Sequence, residues 1–298
     1  MNDYIRCYYM PLALARNVGN YLYALDFFAP RFYVWVLCIV SIQLPAQSLK
    51  QELNNLPIIE IDIASMDFPP NAHRTKSGRV SGKAIETIRA LCTIAHMKCE
   101  VIIYPSARAY MGLENGTSDA LLTADIASFK RCCTYAEWSY PFVAGLITQL
   151  EIEDIPVNET MLQGHSLVMV RGWQSIYEVY PNLKGLVAAG KVELIETSSI
   201  ASAIKIYSSG RTSLLWGSNM FEWYFEQLSM QWKQQDFKPL MISSAGIWVS
   251  KKNNHHKEIL YRFNLAYQLL RKQKNLGKDN FLVPSLMKQV YIEASTSN

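Results

Sequence analysis

Apolar and polar residues follow two rhythms in residues 56–122, and these rhythms predict strands and helices in turn. Residues 56–63 (LPIIEIDI) form a short apolar run before a loop with two prolines, which indicates a buried strand. Residues 84–96 repeat apolar side chains at helical spacing. The further predicted elements are a strand at 99–104, a helix at 107–114 that ends at Asn115-Gly116, and a strand at 119–122. This alternation is typical of a parallel α/β sheet.

The same rhythm restarts after Ile152. Strands are predicted at 166–170, 191–196, 213–216 and 246–250, and helices from about Ile176, at 199–208 and at 256–272. The repeated pattern predicts an α/β protein of two lobes, each a mostly parallel sheet flanked by helices. The expected boundaries are residues 47–144 plus 243–298 for the first lobe and 145–242 for the second.

The N-terminal region contains an apolar run at residues 32–44 (FYVWVLCIVSIQL), which follows Arg31. Its 13 residues are fewer than the ~20 that a membrane-spanning helix needs. A basic residue, a short apolar core and the sequence PAQS are the parts of a secretory signal. We expect residues 1–46 to be removed after Ala46, with Ser48 as the alternative; a buried helix or an uncleaved membrane anchor are the competing interpretations. No lipoprotein-type pattern surrounds Cys38, which favours a free periplasmic protein.

Composition narrows the class of protein further. The chain has 298 residues, of which 50% are hydrophobic and 18% are charged, and this excludes wholesale disorder. A net charge of +4 over this length is too small to predict nucleic-acid binding. No uncharged apolar run reaches 18 residues, so a polytopic membrane protein is excluded as well.

Four cysteines remain after the predicted signal, and in an exported protein they are candidates for disulfides. Cys92 lies near the end of a predicted helix and Cys99 begins the next strand, and a turn of this length can bring two Cα atoms within bridging distance. Cys132 and Cys133 are adjacent. Because a vicinal disulfide strains the peptide between its residues, we predict that this pair is unbridged or buried.

The sequence shows no catalytic motif. Residues 77–83 (SGRVSGK) superficially suggest a phosphate-binding loop, but Ser77 replaces its first glycine and Ala84 replaces its magnesium-binding hydroxyl. No Gly-x-Ser-x-Gly elbow occurs. The five histidines lack metal-ligand spacing, and His255-His256 is better explained by a solvated helix face. We therefore expect no enzyme activity, no cofactor and no metal site.

Short motifs recur in a set order through residues 56–143. They are DFPP at 67–70, Gly82 before a helix with Glu86, GTSDA at 116–120, KR at 130–131 and WSYPF at 138–142. This order resembles that of the bacterial extracellular solute-binding proteins of family 3, the periplasmic receptors for polar amino acids and similar small ligands. A weaker similarity continues to about residue 270. The resemblance implies a ligand cleft between two lobes, and the spacing of Cys92 and Cys99 is similar to a disulfide in the histidine-binding members.

The resemblance also implies roles for residues of the first lobe. Arg131 takes the position that grips the ligand's α-carboxylate, a task that suits the planar guanidinium fork. Thr123 and Ser128 flank the same loop as further donors. Phe68 matches an aromatic side chain that stacks over the ligand. The competing interpretations are a basic surface pair at 130–131, a turn or helix cap for the two hydroxyl residues, and hinge packing for Phe68.

In the second lobe, Trp173 and Gln174 follow Gly172, where a helix N-terminus would face the cleft and favour an anionic group. Trp173 is equally compatible with a core position. The chain departs from the family where an Asp neutralises the ligand ammonium, because Ser213 and Ser218 stand at the two acidic positions. We keep Ser218 as a candidate ligand contact. The loss of the carboxylate implies a ligand other than a standard α-amino acid.

The function implied by the resemblance is capture of a small polar or anionic, amino-acid-like ligand in the periplasm. Its expected partners are that ligand and the permease of an ABC importer, with no nucleic acid, and we expect a monomer. Two alternatives stay open. One is an exported enzyme on the same fold, similar to cyclohexadienyl dehydratases. The other is a ligand-sensing receptor without its own transporter.

Overall fold

The computed structural model describes residues 50–233, 236–273 and 276–283. The predicted signal segment at residues 1–46 lies outside these ranges. No helix within them is both long and apolar enough to cross a membrane.

Strands and α-helices follow one another along the described chain from residue 59 onward. The strands are β1 (Ile59–Ser65), β2 (His73–Arg74), β3 (Val80–Ser81), β4 (Met97–Ile103), β5 (Ala120–Ala124), β6 (Cys133–Ile147), β7 (Ser166–Val170), β8 (Glu193–Thr197), β9 (Leu214–Ser218) and β10 (Phe237–Ser250). The α-helices are α1 (Lys83–Ile94), α2 (Ser106–Asn115), α3 (Glu159–Leu162), α4 (Leu183–Ala188), α5 (Ile200–Ser208), α6 (Glu222–Gln227) and α7 (His256–Lys272). Short 3-10 turns lie at Ala127–Arg131, Ile152–Asp154, Ser175–Glu178 and Asn219–Phe221.

Eight strands form one sheet in the order β4-β1-β5-β10-β6-β9-β7-β8. We call the parallel strands β4, β1 and β5, with helices α1, α2 and α7, the first half. The parallel strands β9, β7 and β8, with helices α3 to α6, are the second half. The long strands β6 and β10 pair antiparallel along the centre and join the halves. The structure thus has the two α/β blocks that the repeated pattern predicts.

Apolar side chains at the spacing of each element build the core. On α1, Ile85, Ile88 and Leu91 follow one another at helical spacing and are fully buried. They pack against Phe263 of α7 within one hydrophobic cluster. Burial of each such side chain contributes about 2 kcal/mol. A separate hydrophobic cluster consists of residues between 144 and 237, so the second half has its own core.

Several predicted elements match the structure closely. The strand Ser166–Val170 and the helix His256–Lys272 have the predicted bounds. Ser199 caps α5, and its hydroxyl accepts a hydrogen bond from the backbone N–H of Ser202.

The prediction of a helix from about Ile176 is wrong. The chain there forms only the 3-10 turn Ser175–Glu178, and α4 begins later, at Leu183. Pro181 explains the break, since a proline disfavours helical backbone at the residue before it.

The structure bridges both cysteine pairs. Cys92 of α1 is bonded to Cys99 of β4 with a Cα–Cα distance of 6.2 Å, as predicted. Cys132 is bonded to Cys133, so the interpretation of this pair as unbridged is wrong, although Cys133 is buried. The backbone gives the reason. Cys132 ends a 3-10 turn with φ −95° and ψ −17°, not with the extended backbone that directs successive side chains to opposite faces.

Candidate functional site

A cavity lies between the two halves, where the carboxyl ends of β1, β5 and β7 come together. This is where open α/β sheets place their ligands. Its lining includes Ser65 at the end of β1, Thr123 on β5 and Ser175 after β7. Apolar and aromatic side chains make up most of the rest, including Phe68 and Phe142. Among the described residues, no side chain that lines it carries a charge.

Three aromatic side chains from three different elements meet at the cavity. The ring centre of Phe68, on the loop after β1, lies 6.0 Å from that of Phe142 and 6.0 Å from that of Trp173. Phe142 belongs to β6 and Trp173 to the loop after β7. Both pairs are tilted by 56°, a favourable arrangement for aromatic rings. The second half therefore contributes directly to the lining.

Two tyrosine hydroxyls and a threonine supply polar groups. Tyr110 of α2 and Thr123 lie in a buried pair with 3.4 Å between their hydroxyl oxygens. Burial raises the pKa of Tyr110 to about 12, while hydrogen bonds from Thr123 and the backbone N–H of Gln174 act in the opposite direction. Burial also raises the pKa of Tyr140 above its ordinary value. Both phenols are therefore neutral at pH 7.

Direct hydrogen bonds join the halves around the cavity. The Tyr224 hydroxyl of α6 donates to Asp67 Oδ2 at 3.1 Å. The backbone N–H of Ala127 donates to Glu178 Oε1 at 3.0 Å. The structure is thus a closed arrangement of the two halves.

Gly172 permits this close approach. It has φ +85°, a backbone conformation that favours glycine. A Cβ atom at this position would lie only 2.8 Å from the backbone nitrogen of Ala107, in the first turn of α2. The loop after β7 can therefore touch α2 only because residue 172 has no side chain.

The structure brings together some of the residues that the sequence singled out. Phe68, Thr123 and Trp173 all line the cavity. Gln174 lies beside it, and its side-chain Nε2 donates to the Gly172 carbonyl at 3.0 Å.

Three other candidates lie outside the lining. Ser128 and Arg131 are exposed on the turn Ala127–Arg131. Ser218 is fully buried, and its hydroxyl accepts a hydrogen bond from the backbone N–H of Met220 at 3.2 Å. Ser218 therefore caps the turn that follows β9.

Most of the lining was not predicted as part of the site. The missed residues with a hydroxyl group or an aromatic ring are Ser65, Tyr110, Tyr140, Phe142 and Ser175. Tyr140 and Phe142 belong to the WSYPF motif, which signalled the family without assigning them a role. Ser175 follows Gln174 directly, so the predicted loop was correct but stopped one residue short. Nothing in the helical pattern of residues 107–114 distinguishes Tyr110 from a core residue.

The described residues bring together no group of three or more His, Cys, Asp or Glu side chains that could hold a metal ion. The polar groups at the cavity are hydroxyls and backbone amides. Such groups can hold a ligand by neutral hydrogen bonds.

No protein-family model matches the sequence, and no curated protein matches it either. Solved structures do match the fold. A histidine kinase sensor domain with similarity to periplasmic binding proteins is 16% identical with a TM-score of 0.58, over 78% of this chain and 95% of that one. A mutant of ArgBP from T. maritima is 14% identical with a TM-score of 0.56, over 84% of this chain and 100% of that one.

A third match is the substrate-binding protein of an ABC uptake transporter from Streptococcus pneumoniae, solved with bound histidine. It is 14% identical with a TM-score of 0.57, over 79% of this chain and 97% of that one. The chain therefore has the two-lobed fold of the periplasmic solute-binding proteins. The motif order in residues 56–143 led to the same fold.

Proposed function

We propose that this protein is an exported solute-binding protein that captures a small molecule between its two halves. The observation that carries the proposal is the cavity at the carboxyl ends of β1, β5 and β7, to which Phe68 and Trp173 contribute from opposite halves. A ligand held there touches both halves and so favours the closed arrangement over an open one.

We further propose that the protein is exported to the periplasm and delivers its ligand to an ABC-type permease. The apolar run at residues 32–44 supports export. So does the disulfide between Cys92 and Cys99, because such bonds persist in oxidising compartments. The matched protein from Streptococcus pneumoniae also supports a transport role, since it is described as the substrate-binding protein of an ABC uptake transporter.

A sensor role is the second candidate. It is favoured by the similarity to a histidine kinase sensor domain, which covers 95% of that chain. The enzyme alternative has less support, because the described lining of the cavity offers no carboxylate or histidine as general acid or base. The carboxylate role of Arg131 remains a prediction; its side chain is exposed outside the cavity in the closed arrangement.

A screen of small molecules by thermal shift, followed by calorimetry, tests ligand capture. A ligand at 100 times its dissociation constant should stabilise the protein by ~2.7 kcal/mol. Saturable binding with a stoichiometry of one is the expected result. Absence of any binding across a broad panel of metabolites would contradict the proposal.

A further inference from the structure

The cavity between the halves presents aromatic rings and neutral hydroxyl groups. Five of the described residues that line it carry a hydroxyl, and none carries a charge. We propose that its ligand is an uncharged small molecule with a flat ring and one or two neutral hydrogen-bonding groups. This inference rests on the proposed function and concerns the ligand class of the same site.

The aromatic side chains provide a surface for a ring. Phe68, Phe142 and Trp173 come from three different elements, and their ring centres are separated by 6.0 Å in each of the two adjoining pairs. Tilted rings at this spacing present both faces and edges to a planar guest. Because Phe68 and Trp173 belong to opposite halves and touch each other, a ring that packs against this pair would contact both halves.

Charged residues flank the lining in sequence or hold the two halves together, but none of them belongs to it. The Asp67 carboxylate accepts a hydrogen bond from the Tyr224 hydroxyl, and Glu178 accepts one from the backbone of Ala127. Asp125 is close in sequence to the lining but is not part of it. The described lining thus contains no carboxylate that could pair with a ligand ammonium.

The positions where the family carries charges lead to the same conclusion. Ser213 donates its hydroxyl hydrogen to the Ser166 carbonyl, and Ser218 caps a turn. Arg131 is exposed outside the cavity. A zwitterionic amino acid would thus bury both charges without a partner, which strongly disfavours binding.

The hydroxyl groups suit a neutral polar ligand. Thr123 and Tyr110 are 3.4 Å apart, a long contact that leaves hydrogen-bonding capacity for a guest. Ser175 accepts a hydrogen bond from the Trp216 indole at 3.1 Å, so its own hydrogen is available to donate. An amide, a carbonyl or a hydroxyl group on the ligand would match these groups.

Pairs of probes with the same shape and different charge test the inference by calorimetry at pH 7. Suitable pairs are benzamide with benzoate and nicotinamide with nicotinate, and L-phenylalanine and L-arginine serve as zwitterionic probes. We expect the neutral member of each pair to bind about 30-fold tighter or more, because the charged member buries an unpaired charge. Equal or tighter binding of the charged members would overturn the inference. Binding of an L-amino acid that is lost in Arg131→Ala would overturn it too.

Two variants locate the site. Thr123→Val removes a hydroxyl at nearly constant volume, and Phe68→Leu removes a ring; each should weaken binding of the neutral probes about fivefold or more. Thr93→Val is the matched control, since the Thr93 hydroxyl is exposed and bonds within its own helix. Unchanged affinity in both cavity variants would place the ligand elsewhere and overturn the inference. No binding of any of these probes up to about 10 mM would also overturn the inference, whereas the proposed function fails only if the broad metabolite panel gives no binding either.

Discussion

The indole of Trp173 donates its Nε1 hydrogen to the Ser106 hydroxyl at 3.1 Å, and the two residues belong to opposite halves of the molecule. Trp173 follows β7, whereas Ser106 begins α2. Both residues are 92% or more buried in the closed arrangement, so the bond is shielded from competition with water. Because Trp173 also lines the cavity, the same side chain both joins the two halves and forms part of the cavity wall.

Replacement of Ser106 by Ala should loosen the closed arrangement. The loss of one buried hydrogen bond costs about 1 kcal/mol, which corresponds to about a fivefold shift toward open molecules. Hydrogen exchange followed by mass spectrometry checks this, because the Ala127 amide donates to Glu178 Oε1 only while the halves touch. Faster exchange in peptides covering Ala127 is the expected result. Ser209→Ala is the control, since that exposed hydroxyl bonds only to Ile206 of its own helix.

Gly172→Ala should separate two effects of a side chain at this position. The substitution strains the backbone at φ +85° and also places a Cβ atom against Ala107. Gly164→Ala shares the first effect alone, because Gly164 has φ +87° and nothing within 4 Å of its Cβ position. Both variants should lose about 1 kcal/mol of unfolding free energy.

Only Gly172→Ala should also open the molecule. Small-angle scattering checks this through an increased radius of gyration. The same radius in the two variants would contradict the account of Gly172 as the residue that permits closure.

The disulfide between Cys92 and Cys99 should be present in the exported protein. It closes a small loop, so its removal in a Cys92→Ala, Cys99→Ala double variant should cost ~2–3 kcal/mol on the chain-entropy model. Peptide mapping without reductant and chemical denaturation check the bond and its effect. Recovery of both residues as free thiols from the native protein would refute the pairing.

Alkaline pH should destabilise the protein through its buried tyrosines. Burial raises the pKa values of Tyr110 and Tyr135 to about 12 in the folded state, from an ordinary value of 10.0. Between these values the unfolded chain has lost protons that the folded protein keeps, so stability falls as pH rises. Each tyrosine contributes a slope of about 1.4 kcal/mol per pH unit.

Thermal denaturation between pH 9 and about 12 measures this slope. In Tyr110→Phe the slope should decrease, after correction for the difference between variant and wild type at pH 7. An identical slope would show that Tyr110 ionises equally in the folded and unfolded states.

The alternation of elements was predictable because most strands and helices are short and each has one clear period. The full length of β6 and β10, the two central strands, was not predictable. β6 contains Pro141 and β10 contains Pro239, and proline normally excludes a central strand assignment. The structure accommodates Pro239 at a register shift between β6 and β10, which local sequence does not reveal. The length of the strands that join the halves is therefore a tertiary property.

Only the cavity residues that the family resemblance singled out could be predicted from the sequence. Phe68, Thr123 and Trp173 lie on loops and strand ends that the family order marks. Tyr110 lies on an ordinary amphipathic helix, and only the tertiary structure brings its hydroxyl to that of Thr123 at the cavity. The exposure of Arg131 likewise depends on how a short turn is oriented, which residue spacing does not determine.

The position of β10 beside β5 has a consequence for the order of synthesis. The ribosome synthesises β1, β4 and β5 long before residues 237–250. The edge of β5 that pairs with β10 in the final sheet is therefore unpaired while the second half is translated. Every residue of β5 is buried in the folded protein, so before β10 is made its unpaired edge exposes mostly apolar residues and is prone to associate with other chains. A partly folded chain therefore carries an aggregation-prone edge until β10 is made.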